Sequence, residues 1–215
     1  MRRTSANLLL LLAGAVWGMG FVAQSTAMDA VGPLLFLALR FLIATAALAP
    51  LAWFETRKAR TPVGSRSLAG FAACGMALFA GMMAQQYGLL TTSVTNSGFL
   101  TGLYVVFTPV LTVLWTRRAP HPVIWPAALS ALFGIWLLSG GALVSLKPGD
   151  MLTMLCAVLF AFQVILIGIY APASGRPLTL SLVQFAVCGA LGTIAAVLLE
   201  PVRWAAISAA LPEIL

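Results

Sequence analysis

Acidic side chains are nearly missing from this sequence. Asp and Glu number five in 215 residues, and none falls inside a long apolar run. Proton relays in transporters use carboxylates or histidines within the membrane, so proton coupling through such a group is not expected from these residues. Histidine occurs once, as His121 between Pro120 and Pro122. The three cysteines, Cys74, Cys156 and Cys188, are odd in number, lack metal-ligand spacing and sit in apolar stretches. They read as small packing residues. No nucleophile–base pair, phosphate-binding loop or metal-ligand cluster is present, so neither enzyme chemistry nor a cofactor or metal is expected.

Charge of either sign is scarce. Charged residues make up 8% of the chain and hydrophobic ones 61%, whereas a soluble domain is about 25% charged. Mean hydropathy is +1.04. What remains is apolar runs of membrane length, at 7–27, 33–54, 68–90, 93–115, 123–142, 151–171 and 178–199, each long enough to cross ~30 Å of hydrocarbon as a helix. The runs do not alternate as barrel strands would. The expected class is all-α, a polytopic transmembrane helical bundle, with the lipid bilayer as its first partner. A cleaved leader is not the reading of the first run, because many more follow.

The net charge of +7 would suggest nucleic acid in a soluble protein, but its distribution gives another reason. Arg2, Arg3, Arg57, Lys58, Arg60, Arg66, Arg117, Arg118 and Arg176 fall on one side of the predicted spans. Lys147 and Arg203 fall on the other, with Asp29, Asp150 and Glu200. The positive-inside rule then places the amino terminus in the cytoplasm. No nucleic-acid partner is inferred.

The twelfth basic residue, Arg40, lies within the second span, in PLLFLALRF (33–41). This stretch has an echo in PLTLSLVQF (177–185), which sets Pro177 on Pro33, Gln184 on Arg40 and Phe185 on Phe41 at an offset of 144. AGAVWGMGFV (13–22) resembles CAVLFAFQVI (156–165) at an offset of 143, with Trp17 over Phe160. Five spans separate the equivalent starts. Five is odd, so the second copy enters the membrane from the opposite side, which is an inverted repeat. The expected units are 1–142, a five-helix repeat, and 143–215, part of a second repeat with two helices and an interfacial tail. A complete second copy would need roughly 286 residues, so the chain is expected to hold one repeat and two helices of the next.

AVWGMGF in the first span, PLLFLALRF in the second, TTSVTNSGFLTGLYVVFTPVL across the fourth and GDMLTMLCAVLFAFQVIL in the sixth resemble the drug/metabolite transporter superfamily, EamA type. The resemblance implies ten helices in two five-helix repeats, and export or exchange of small metabolites. It does not select a substrate. The expected location is the bacterial cytoplasmic (inner) membrane.

Polar residues inside the spans are the candidate chemistry. In the fourth span Ser93, Asn96, Ser97, Thr101, Tyr104, Thr108 and Thr112 fall within about a 160° arc. The stripe either lines a cavity or bonds back to its own helix. Gly98 and Gly102, and Gly14 and Gly18 in the first span, form GxxxG pairs expected to allow tight helix contact. Pro109 is expected to kink the fourth span. Trp17, Phe21 and Gln24 share a face of the first span. Gln85, Gln86 and Tyr87 end the third, and Gln163 and Gln184 lie in the sixth and seventh. Met82 and Met83 read as packing. The candidate substrate-binding set is Trp17, Gln24, Arg40, Gln85, Asn96, Thr101, Tyr104, Gln163 and Gln184. For Arg40 a clamp on neighbouring helices is favoured over a contact to a substrate anion. The expected function is a carrier that moves a small polar or amphipathic metabolite by alternating access. The alternatives are a non-transporting membrane scaffold and an inactive truncated carrier.

Overall fold

The computed structural model describes residues 3–59, 62–117, 121–138 and 147–200. They form eight helices: α1 (Arg3–Val31), α2 (Pro33–Ala59), α3 (Ser65–Leu89), α4 (Val94–Gly102), α5 (Tyr104–Thr116), α6 (Ile124–Leu138), α7 (Pro148–Ser174) and α8 (Pro177–Leu199). Six spans are long and apolar enough to cross a bilayer: α1, α2, α3, the pair α4–α5 (Val94–Trp115), α7 and α8. No strand occurs among the described residues. The fold is therefore the expected all-α membrane bundle. The predicted span at 123–142 is represented by the shorter α6, and its last residues, like the tail 201–215, lie outside the described residues.

Backbone chemistry sets the breaks. Gly32 (φ 86°) turns the chain between α1 and α2, and Gly175 (φ 64°) ends α7, both in the left-handed region that glycine enters freely. The fourth span is interrupted at Leu103, between α4 and α5, while α5 runs on through Pro109. The kink expected at the proline is therefore found six residues earlier. Gly102 precedes the break, and glycine is about 1 kcal/mol poorer than alanine in a helix interior.

α2, α3, α7 and α8 make the centre. Leu37, Phe41, Leu78, Met82, Cys156, Phe160 and Cys188 pack there as one buried cluster. Helices in lipid gain little from hydrophobicity and much from close contact at small residues. Here the contact is made at Gly81 against Phe160, at Gly192 against Leu37 and Ala38, and at Gly149 against Gly88. The three cysteines are free and buried. A second cluster, with Phe21, Met28, Val31, Phe36 and Leu89, joins α1, α2 and α3 where α1 ends. α1 is otherwise peripheral, and its Leu8, Leu10, Leu11 and Met19 are exposed, as a lipid face requires.

α2 and α8 run antiparallel and are fastened at both ends. Each begins with proline at its first position. The Glu200 carboxylate, just past the end of α8, accepts the N–H groups of Leu34 and Leu35 at 2.9 Å each. The Glu55 carboxylate, in the last turns of α2, accepts those of Leu178 (3.1 Å) and Thr179 (2.7 Å) and the Thr179 hydroxyl (2.7 Å). The first N–H groups of a helix have no partner within it, and its positive end favours an anion. Midway, the rings of Phe41 and Phe185 meet at 5.5 Å between centroids. The residues paired by the sequence echo thus face one another. Glu55, expected beyond the second span, lies inside its helix. Asp150, expected in a loop, sits buried in the first turn of α7, accepting the Lys147 N–H at 2.9 Å and the Thr92 hydroxyl.

Candidate functional site

Six helical spans send side chains into one cavity of about 350 Å³. α1 supplies Trp17, α2 Arg40 and Phe41, α3 Leu78 and Met82, α5 Tyr104, α7 Phe160, Gln163 and Val164, and α8 Phe185. The Trp17 and Tyr104 rings stack at 6.2 Å between centroids, with planes 23° apart. The walls are thus largely aromatic, with a guanidinium and one amide as strong polar groups. Small-molecule sites have this composition, apolar surface with a few placed polar groups.

Two hydrogen-bonded pairs tie wall residues to glutamines behind them. Arg40 Nη1 donates to Gln24 Oε1 at 3.1 Å, joining α2 to α1. Gln163 Nε2 donates to Gln184 Oε1 at 3.0 Å, joining α7 to α8. Arg40 and Gln184, mates in the sequence echo, therefore each bond a glutamine of a neighbouring helix. Arg40 also lies 5.8 Å from the Phe41 ring centroid. Among the described residues it bonds the Gln24 side chain and no helix carbonyl.

A second space of about 480 Å³ opens between α1 and α4, lined by Gly14, Trp17, Gly18, Phe21, Gly98, Thr101, Gly102 and Tyr104 among others. This corrects the expected tight contact at the GxxxG pairs. A Cβ added at Gly14, Gly18 or Gly98 would meet nothing within 4 Å. Small residues permit close approach but do not compel it, and here Trp17 and Tyr104 stand between the helices.

The polar stripe of the fourth span divides. Thr108 and Thr112 bond back to the carbonyls of Tyr104 (2.6 Å) and Thr108 (2.7 Å), as hydroxyls in helices often do. Ser93 caps α4 by accepting the Asn96 N–H at 3.1 Å. Thr101 is buried and accepts from Gln85 Nε2 at 2.9 Å, with Cys156 Sγ on the same nitrogen at 3.8 Å. Tyr104 alone reaches the smaller cavity.

Of the nine sequence-predicted residues, Trp17, Arg40, Tyr104 and Gln163 line that cavity. Gln24 and Gln184 hold two of those four. Thr101 borders the larger space, with Gln85 behind it. Asn96 stands in neither wall, being placed on the first turn of α4. Phe41, Leu78, Met82, Phe160, Val164 and Phe185 complete the lining and were not anticipated. Met82, which reads as packing from the sequence, both packs and lines. The phenylalanine echo at 41 and 185 was the available signal for two of these.

Comparison with known proteins places this arrangement. The profile of the EamA-like transporter family matches residues 4–140. An uncharacterized transporter of Archaeoglobus fulgidus is 30% identical over 175 residues, covering 81% of this chain and 52% of the relative. The chain thus spans about half the length of that relative. A solved crystal structure shares the fold with a TM-score of 0.66 at 18% identity, over 99% of this chain and 73% of that one.

Proposed function

The chain belongs to the EamA-like transporter family, within the drug/metabolite transporter superfamily, and from that premise we propose that it carries a small polar or amphipathic metabolite by alternating access. The observation that carries the reading is the cavity where α1, α2, α3, α5, α7 and α8 converge, ringed by Trp17, Arg40, Tyr104 and Gln163. We also propose that 1–142 forms one five-span repeat and 143–215 part of its inverted mate. Three reciprocal contacts support the repeat: Glu200 on the start of α2, Glu55 on the start of α8, and Phe41 on Phe185. Rocking of one repeat against the other about this axis would expose the cavity to each side in turn. The basic loops support a cytoplasmic amino terminus, and the proposed location is the bacterial cytoplasmic membrane.

Uptake by proteoliposomes tests the reading. Labelled organic acids, amines, sugars and neutral amphiphiles are offered, with protein-free liposomes as the baseline. At least one class is expected to accumulate above the baseline. Tyr104→Ala, which removes one of the stacked rings, is expected to reduce that uptake at least ten-fold. Uptake of a solute that is indifferent to Tyr104→Ala and Trp17→Ala would contradict the assignment of this cavity.

A further inference from the structure

We propose that the solute is a monoanion, its carboxylate held by Arg40 and its apolar body lying among the rings of Trp17, Tyr104, Phe160 and Phe185. This rests on the carrier reading above and names the class of substrate.

Charge accounting comes first. Arg40 is the one basic side chain in the cavity wall. A charge in the bilayer interior is costly, and such residues are almost always paired. The carboxylates whose side chains are described are occupied elsewhere. Glu55 holds the start of α8, Glu200 the start of α2, and Asp150 holds the Lys147 N–H and Thr92. No ion pair forms at Arg40 among the described residues. An anion entering the cavity would supply the counter-charge that these three carboxylates do not.

Hydrogen-bond polarity gives the same answer independently. Arg40 spends one donor on Gln24 Oε1. A guanidinium offers five donors and no acceptor. The bond turns the Gln24 carbonyl toward Arg40, and its buried Nε2 finds no partner among the described residues. Gln24 stands behind the wall, so Arg40 alone of the two meets the cavity, with its remaining donors and no acceptor, and their complement is a group that only accepts. A carboxylate is such a group and can meet a guanidinium with two parallel bonds.

Single charge and apolar body follow from the rest of the wall. One guanidinium neutralises one negative charge, and a dianion would leave the second unpaired at low dielectric. A zwitterion would bring an ammonium into a cavity with no carboxylate in its wall. The volume of about 350 Å³ admits a ring or branched chain beside the head group, and the aromatic rings favour it by contact area.

Equilibrium binding to the chain in nanodiscs tests this with three probes of matched shape: phenylacetate, phenylacetamide and phenethylamine. Phenylacetate is expected to bind at least ten-fold more tightly than the amide, and the amine more weakly still. Arg40→Gln is expected to bring phenylacetate down to the affinity of the amide while leaving the amide unchanged, and Arg40→Lys to retain part of the preference. If Arg40→Gln does not fold, the wild-type ranking of acid over amide decides alone. Equal binding of acid and amide, lost in Trp17→Ala, would overturn the anion inference and leave the cavity as the site. Binding of any probe that ignores Trp17→Ala, or binding of none, would overturn both.

Discussion

Gly149→Val is expected to remove most of the folded protein. α3 and α7 cross at Gly88 and Gly149 with their backbones in contact. A Cβ on Gly149 would stand 2.3 Å from the Gly88 carbonyl oxygen, 2.6 Å from Thr91 Oγ1 and 2.9 Å from the Thr92 nitrogen. Two of these are backbone or backbone-adjacent atoms that cannot rotate away, so the helices must separate. Overpacking typically costs about 1–3 kcal/mol and sometimes more, and valine at this crossing belongs at the top of that range. For a chain of this size, about 3 kcal/mol corresponds to a fall in Tm of roughly 6–12 °C. Separation would also disturb Asp150, one residue on, and its bond to Thr92. Gly98→Ala is the control, since its Cβ meets nothing within 4 Å. Size-exclusion yield and thermal unfolding in detergent give the comparison. A Gly149→Val protein as stable as Gly98→Ala would refute this packing.

Glu55→Ala and Glu200→Ala are each expected to cost about 2 kcal/mol. Each carboxylate accepts two backbone N–H bonds at the start of a helix that has no cap of its own. Hydrogen bonds to charged groups contribute roughly 1.5–3 kcal/mol, and the helix dipole adds a few tenths to 1 kcal/mol. Glu200 is also the neighbour that Gly32 accommodates, with its Oε2 2.9 Å from where a Cβ would be. The two fastenings lie at opposite ends of α2, so their losses should add, giving about 4 kcal/mol in the double variant. Unfolding in mixed micelles, read by circular dichroism, measures all three. Single losses below 0.5 kcal/mol would mean that water or lipid head groups cap these helices equally well.

The spans and their order were legible because apolar length is the strongest signal a membrane protein carries. The echo of PLLFLALRF in PLTLSLVQF was legible because proline and phenylalanine recur at fixed spacing in it, and the structure sets Phe41 against Phe185. The two glutamates were less legible. An acidic residue at a span end reads as a loop charge, and α2 runs to Ala59 where the apolar run stops at 54. Their use depends on which helix lies alongside, which sequence spacing does not encode. Glycine motifs misled for a related reason. GxxxG marks a surface that can be approached, whereas the true crossing joins Gly88 and Gly149, which share no motif. Most of the cavity wall was invisible because Leu78, Met82 and Val164 are ordinary residues in an apolar chain. Trp17, Arg40, Tyr104 and Gln163 stood out only because polar and amphipathic groups are rare there.

The most direct measurement is the accessibility of Val164, which lines the cavity on α7. A Val164→Cys chain is treated with a membrane-impermeant thiol reagent in right-side-out and inside-out vesicles. The native Cys74, Cys156 and Cys188 are each fully buried, which keeps the background low. A carrier whose cavity opens alternately predicts labelling from both faces, slowed by a transported solute. Labelling from neither face, or from one face only under every condition, would contradict alternating access through this cavity.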